Sequence, residues 1–152
     1  LLQRRGFTAN DFARRHPGGS LGKRLLLHVS DIMHTGMDIP TIPHDSTLTD
    51  ALLEMTNKRL GMTLVLAADK TLLGIFTDGD LRRSIHLKHC NKNTPIPQLI
   101  KPSSHTISPD SLAIEALNLM QDNKITSLIV LGNNKKPIGV IHMHDLLQAG
   151  VI

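Results

Sequence analysis

The chain has 152 residues, 40% of them hydrophobic, yet it holds no Trp, no Tyr and only three Phe (Phe7, Phe12 and Phe76). Its core must be aliphatic, and the aromatic platforms on which single-stranded nucleic acids stack are missing. The net charge of +4 belongs to one end: residues 1–30 hold six Lys/Arg against Asp11 (+5), residues 31–152 hold eleven basic and twelve acidic groups (−1). The body therefore offers no phosphate-backbone surface, and no nucleic-acid partner is expected.

A single cysteine, Cys90, excludes an internal disulfide and fits a reducing, cytoplasmic setting. The apolar runs are strand-sized and no signal peptide is visible, so no membrane span is expected. The chain opens Leu1-Leu2-Gln3-Arg4-Arg5, as if cut inside a helix, and is expected to be a piece of a longer protein.

In chain order, Gly6 ends that first helix, and Thr8-Ala9-Asn10-Asp11 has capping-box spacing flanked by Phe7 and Phe12 as a staple. His16-Pro17-Gly18-Gly19-Ser20-Leu21-Gly22 has too much glycine and proline for a helix or a central strand. A basic helical piece from Lys23 to His28 leads into Val29-Ser30-Asp31-Ile32-Met33.

From Thr41 the chain repeats itself without a gap at an offset of 65 residues, as far as Leu81 and Leu146. Each copy reads as a short extended piece (Pro40–Pro43; His105–Ser108), an Asp-Ser helix start, and an amphipathic helix. Leu48, Ala51, Leu52 and Met55, like Ala113, Ala116, Leu117 and Met120, fall at i, i+3, i+4 and i+7. Then come a strand (Thr63–Leu66; Leu128–Leu131), a polar turn and a second strand (Leu72–Phe76; Pro137–Ile141). The second strand is apolar throughout and expected to be buried on both faces. A last helix starts near Asp78 or Met143. The polar stretch 89–97, with two prolines, reads as the linker between copies. The fold class is α/β (α+β): two β-α-β-β-α repeats, each with a sheet face that the other can cover about a pseudo-twofold axis.

Gly74-Ile75-Phe76-Thr77-Asp78-Gly79-Asp80-Leu81 closes the first unit with Gly-h-h-Thr-x-x-Asp-h, where h is apolar; the second, Gly139 to Leu146, has His142 in place of Thr. The unit resembles the CBS domain, and residues 30–152 resemble a tandem CBS pair, or Bateman module, with repeats at 30–90 and 91–152. Gly6-Phe7-Thr8, Asp11-Phe12-Ala13, His16 to Leu26 and Asp31-Ile32-Met33-His34 resemble the D-arabinose 5-phosphate isomerase family. There such a stretch joins a sugar-isomerase (SIS) domain to the CBS pair, so residues 1–29 would be the tail of a SIS domain outside this chain. The resemblance implies a parent that interconverts D-ribulose 5-phosphate and D-arabinose 5-phosphate in Kdo and lipopolysaccharide synthesis. Without that SIS domain the chain would not catalyse on its own.

The Thr77-x-x-Asp80 spacing is that of a capping box. The resemblance adds a ligand role, with Thr77 giving a donor to a phosphate and Asp80 accepting from a ribose diol. By the same carry-over the rest of the ligand would meet Thr41, Ile42, Pro43, Gly61, Met62 and Thr63 in the first copy. In the second it would meet Thr106, Ile107, Thr126, Ser127, His142 and Asp145. His142 is expected to be unable to complete the box as Thr does, and to bind a phosphate best when protonated, so that binding would strengthen from about pH 8 to about pH 6. His16 would serve the sugar site of the longer enzyme as an acid–base or positioning group.

The chain has nine histidines, and His86-x-x-His89-Cys90 has metal-like local spacing; with no second cluster, no metal is expected. No cofactor is required; the expected effector is a nucleotide or nucleotide-sugar, with CMP-Kdo (as end-product feedback) and an adenine nucleotide as candidates. The alternative is a structural module that assembles homodimers or homotetramers through its CBS pairs.

Overall fold

A computed structural model describes residues 26–102 and 105–152. The capping motif at Thr8, the glycine-rich loop with His16 and the basic piece from Lys23 lie outside them. The described chain begins with a short helix α1 (Val29–Ile32), followed by β1 (Thr41–Pro43), α2 (Leu48–Lys58), β2 (Met62–Leu66), β3 (Leu72–Thr77) and α3 (Asp78–Ser84). The second copy gives β4 (Thr106–Ile107), α4 (Ala113–Asn123), β5 (Ser127–Leu131), β6 (Pro137–His142) and α5 (Met143–Gln148). The mixed β-α-β-β-α order holds in both, on two three-stranded sheets ordered β1-β2-β3 and β4-β5-β6.

In the first sheet β1 runs parallel to β2, which requires the crossover that α2 supplies, and β3 returns antiparallel. The starts of β1 and β2 and the end of β3 therefore share one end of the sheet. Leu48, Ala51 and Met55 of α2 join Ile42, Val65 and Phe76 in one core. Ala113, Ala116, Leu117 and Met120 of α4 join Leu128, Val130, Ile141 and Leu146 in another.

Three expectations are corrected. The second strand of each copy is not buried on both faces, since Leu73 and Ile138 are exposed. In the first sheet the middle strand is β2, and Met62, Thr63, Leu64 and Val65 are the residues sealed on both sides. The Asp-Ser start also falls short: His44-Asp45 forms a turn closed by Ser46 N–H on the Pro43 carbonyl (3.1 Å), and α2 begins behind Thr47, whose hydroxyl and backbone exchange bonds with Asp50.

Nor is the linker solvated throughout. Ile96 is fully buried in the first core, and the Lys92 and Thr94 carbonyls accept the N–H groups of Thr49 (3.1 Å) and Leu48 (2.9 Å). These are two of the donors that every helix start leaves without an intrahelical partner. The second copy is served the same way by the segment ahead of the first. The Leu27 carbonyl accepts from Ala113 N–H (2.7 Å), Val29 N–H donates to the Ser111 carbonyl (2.8 Å), and Val29 is buried in the second core. The compact units cut across the repeat boundaries accordingly, with 26–33 grouped with 107–130 and 140–152, and 34–106 grouped with 131–139.

Candidate functional site

The first copy brings its residues together at the end of the sheet where β3 becomes α3. Met62 stands opposite Thr77 and Thr63 opposite Phe76 across the antiparallel ladder. Asp78 N–H donates to the Gly61 carbonyl at 3.0 Å. Gly61 has φ +70°, and a Cβ there would lie 3.0 Å from Asp78 Oδ2, so the chain turns into β2 on a residue that only glycine fills without strain. On the neighbouring strand Thr41 pairs with Leu64, and its N–H is taken by Glu54 Oε2 at 2.9 Å.

Not all of these side chains face outward. Ile42 packs in the core, and Thr63 is fully buried with its hydroxyl donating to the Leu64 carbonyl. Met62 is buried as well. Pro43 is exposed, while Thr41, Gly61 and Thr77 are half-buried.

Thr77 and Asp80 form the box that their spacing implies. Asp80 Oδ2 accepts from Thr77 N–H (2.9 Å) and from the Thr77 hydroxyl (3.0 Å), and Asp80 N–H donates to the Thr77 oxygen (3.2 Å). The residue missed from the sequence is Arg83, one helical turn on, whose Nη2 donates to Asp80 Oδ1. A carboxylate has about four acceptor positions, and three are thus taken up within the chain itself. The pair is lopsided, with the Asp80 side chain 11% exposed and that of Arg83 64% exposed. An ion pair so open to water contributes about 0–1 kcal/mol and separates readily.

The second copy repeats the frame. Met143 N–H donates to the Thr126 carbonyl at 2.7 Å, the counterpart of Asp78 and Gly61, and Ser127 opens β5. Thr106 and Ile107 form β4, with Ile107 packed against the second core. His142 does complete a box, though not as Thr77 does. Its Nδ1 accepts from His144 N–H (3.0 Å), and Asp145 Oδ2 accepts from His142 N–H (2.8 Å). An imidazole nitrogen is as good an acceptor as a hydroxyl as long as it carries no proton. Protonation at Nδ1 would forfeit that bond, so any gain in anion binding at low pH is opposed by loss of the cap.

Among the described residues no group of three or more His, Cys, Asp or Glu side chains could hold a metal ion. His89 and Cys90 instead line a shallow cleft with Leu87, Lys88, Thr94, Gln98 and Leu99, and no acidic group takes part. No helix among the described residues is long and apolar enough to cross a membrane.

Known proteins share this fold. The protein-family model described as the CBS domain matches residues 29–87 and 92–151. The chain is 51% identical over 152 residues to arabinose 5-phosphate isomerase KdsD of Salmonella typhi, an alignment that takes in 100% of this chain and 46% of the relative. It thus spans about half the length of the curated relatives it matches. Among solved structures, CBSX2 in complex with AMP is similar with a TM-score of 0.73 at 20% identity, covering 82% of this chain and 96% of that one. The CBS domain protein PAE2072 of Pyrobaculum aerophilum complexed with AMP is similar with a TM-score of 0.70 at 18% identity, covering 83% and 100%.

Proposed function

The chain belongs to the CBS-domain family, matched in both halves, and from that premise we propose that it is the regulatory ligand-binding pair of a D-arabinose 5-phosphate isomerase. The observation that carries the reading is the convergence of Gly61, Met62, Thr77 and Asp80 on one end of the first sheet, in a segment held shut by the Asp78–Gly61 bond. Thr77 offers a hydroxyl and Asp80 a carboxylate, the donor and acceptor that a phosphate and a ribose diol require. AMP in CBSX2 and PAE2072 supports a nucleotide as the ligand class. The similarity to arabinose 5-phosphate isomerases supports a parent enzyme that supplies Kdo synthesis, and hence CMP-Kdo as a feedback effector. In that parent His16 would act in the sugar site contributed by a SIS domain.

Occupancy would reach the catalytic part through the second copy, because the segment nearest the tail, Leu27 to Met33, packs in the second core. Calorimetric and thermal-shift titration of the chain with AMP, ATP, SAM, CMP and CMP-Kdo tests the reading, followed by isomerase assays of the full-length enzyme with the same compounds. Binding lost on Asp80→Ala or Asp145→Ala supports it. If none of the five binds, the alternative stands, a module for assembly; exposed Leu53, Ile85 and Leu87 favour that second reading, since a further copy of the chain would cover them.

A further inference from the structure

We propose that Arg83 is the specificity determinant of the first copy's site: a guanidinium latch on Asp80 that swings to a ligand's phosphate and so favours ligands carrying one over neutral ones. The inference rests on the reading of Thr77 and Asp80 as a nucleotide site and adds how that site selects. Of the three donors on the Asp80 carboxylate, two come from Thr77 and belong to the start of α3. The Thr77 N–H bond is half of the cap, whereas the hydroxyl can turn its proton to a phosphate while its oxygen still accepts from Asp80 N–H. The third, from Arg83, sits on a long and mostly exposed side chain, and is the one a ligand can displace.

What happens to the displaced guanidinium decides which ligands succeed. A nucleoside brings two neutral hydroxyls to Asp80 and nothing to Arg83, so a charged pair is exchanged for weaker bonds. A nucleoside monophosphate brings both, because a guanidinium fork matches two phosphate oxygens. The reach is short. Arg83 Nη1 and Nη2 lie 3.5 and 3.6 Å from where a Cβ would sit on Gly79, and the Thr77 hydroxyl lies 3.6 Å from the same point. The guanidinium and the hydroxyl that the phosphate would meet thus flank one point, and both already bond to the Asp80 carboxylate.

The second copy lacks this device at the matching position. Sixty-five residues after Arg83 stands Gln148, which has no charge to offer or to withdraw. The two copies share a backbone frame but should rank ligands differently, the first by charge and the second without a latch from that helix position.

The test is calorimetric titration of the chain carrying Asp145→Asn, which keeps an acceptor for His142 while weakening the second site. AMP is compared with adenosine, and CMP with cytidine. This background chain should prefer each monophosphate over its nucleoside by about tenfold or more, the scale of one charge-assisted bond. Adding Arg83→Met should make adenosine bind more tightly and AMP more weakly, bringing the ratio to about threefold or less. Arg83→Lys keeps the charge without the fork and should fall between; it carries the same comparison if Arg83→Met lowers the melting temperature. In side-chain NMR the Arg83 Nε–H resonance should move with AMP and move less with adenosine. An unchanged ratio in both variants, with binding intact, overturns the latch and leaves the nucleotide site standing. Failure of the background chain to bind any of the four compounds overturns both.

Discussion

Thr77 and Thr47 are a natural pair for separating capping from ligand binding. Both are N-caps with Asp three residues on, and their geometries nearly coincide. The backbone N–H to carboxylate distance is 2.9 Å in each, and the hydroxyl to carboxylate distance is 3.0 Å at Thr77 and 3.2 Å at Thr47. Replacing Thr with Ala at a helix N-cap costs about 0.5–2 kcal/mol. At Thr77 the loss should reach the upper half of that range. Its partner Asp80 is nearly buried, α3 spans only Asp78–Ser84, and the Asp80 N–H left behind has little water to turn to. At Thr47 the box is exposed and the Asp50 N–H to Thr47 contact is already long at 3.5 Å, so the loss should sit in the lower half. For a chain of this length about 1 kcal/mol corresponds to roughly 2–4 °C in Tm. Thr77→Ala should therefore lower Tm by about 2–8 °C, and Thr47→Ala by about half as much.

Affinity separates the two further. Thr47 belongs to no candidate site, so Thr47→Ala should leave AMP or CMP binding within about twofold, whereas Thr77→Ala should weaken it by about tenfold or more through the lost hydroxyl. Thr77→Ser, which keeps the hydroxyl, should recover most of both losses. Differential scanning fluorimetry and calorimetry on the four proteins supply all the numbers needed. Equal loss of affinity from Thr47→Ala and Thr77→Ala would show that the box acts only through stability, and would remove Thr77 from the site.

Other outcomes follow from single contacts. Ile96→Ala should destabilise the chain by about 2–5 kcal/mol in urea unfolding, because the side chain is fully buried although the stretch reads as a linker. Gly74→Ala should cost about 1–3 kcal/mol, since a Cβ there would meet the Lys101 carbonyl oxygen at 2.7 Å and push apart the bridge between Ile75 and Lys101; an unchanged Tm would refute the close approach. The Asp69 carboxyl is held below the ordinary carboxylate range, chiefly by the Thr71 hydroxyl, which donates to it at 2.6 Å. The stabilisation is present above the unfolded carboxyl pKa and is lost as pH falls through the lowered folded value. Thr71→Ala should return Asp69 toward the ordinary range in a carbon-detected NMR titration, and no change there would refute the cause.

The fold was largely legible because the sequence states it twice. An offset of 65 residues let weak signals confirm one another, and the periodicity of Leu48, Ala51 and Met55 names the buried face of α2. What could not be read was anything that depends on partners distant in sequence. The stretch 89–97 is polar by composition, yet its carbonyls cap α2 and Ile96 fills the first core; neither fact has a local pattern. The exposure of Leu73 and Ile138 was likewise hidden, because an apolar run looks the same in a middle strand and in a flanking one. How His142 would cap was also out of reach. The change from Thr to His shows that the box differs, but only the structure shows that a ring nitrogen takes the hydroxyl's place.

The repeat fixes more of the backbone than of the chemistry, and that division bears on regulation. Asp78 to Gly61 and Met143 to Thr126 are the same bond in two copies, and Asp80 and Asp145 accept the same N-cap amide. Around that constant frame the side chains that would meet a ligand differ: Thr77 becomes His142, and Arg83 becomes Gln148. A frame kept while its contacts diverge can respond to two compounds, or to one compound at two concentrations. The copies also differ in what they are joined to. Leu27, Val29, Ile32 and Met33 pack in the second core and not in the first. If the pair regulates an enzyme, Asp145→Asn should therefore alter the response more than Asp80→Asn at equal occupancy, and an equal effect of the two would argue that the signal leaves by another path.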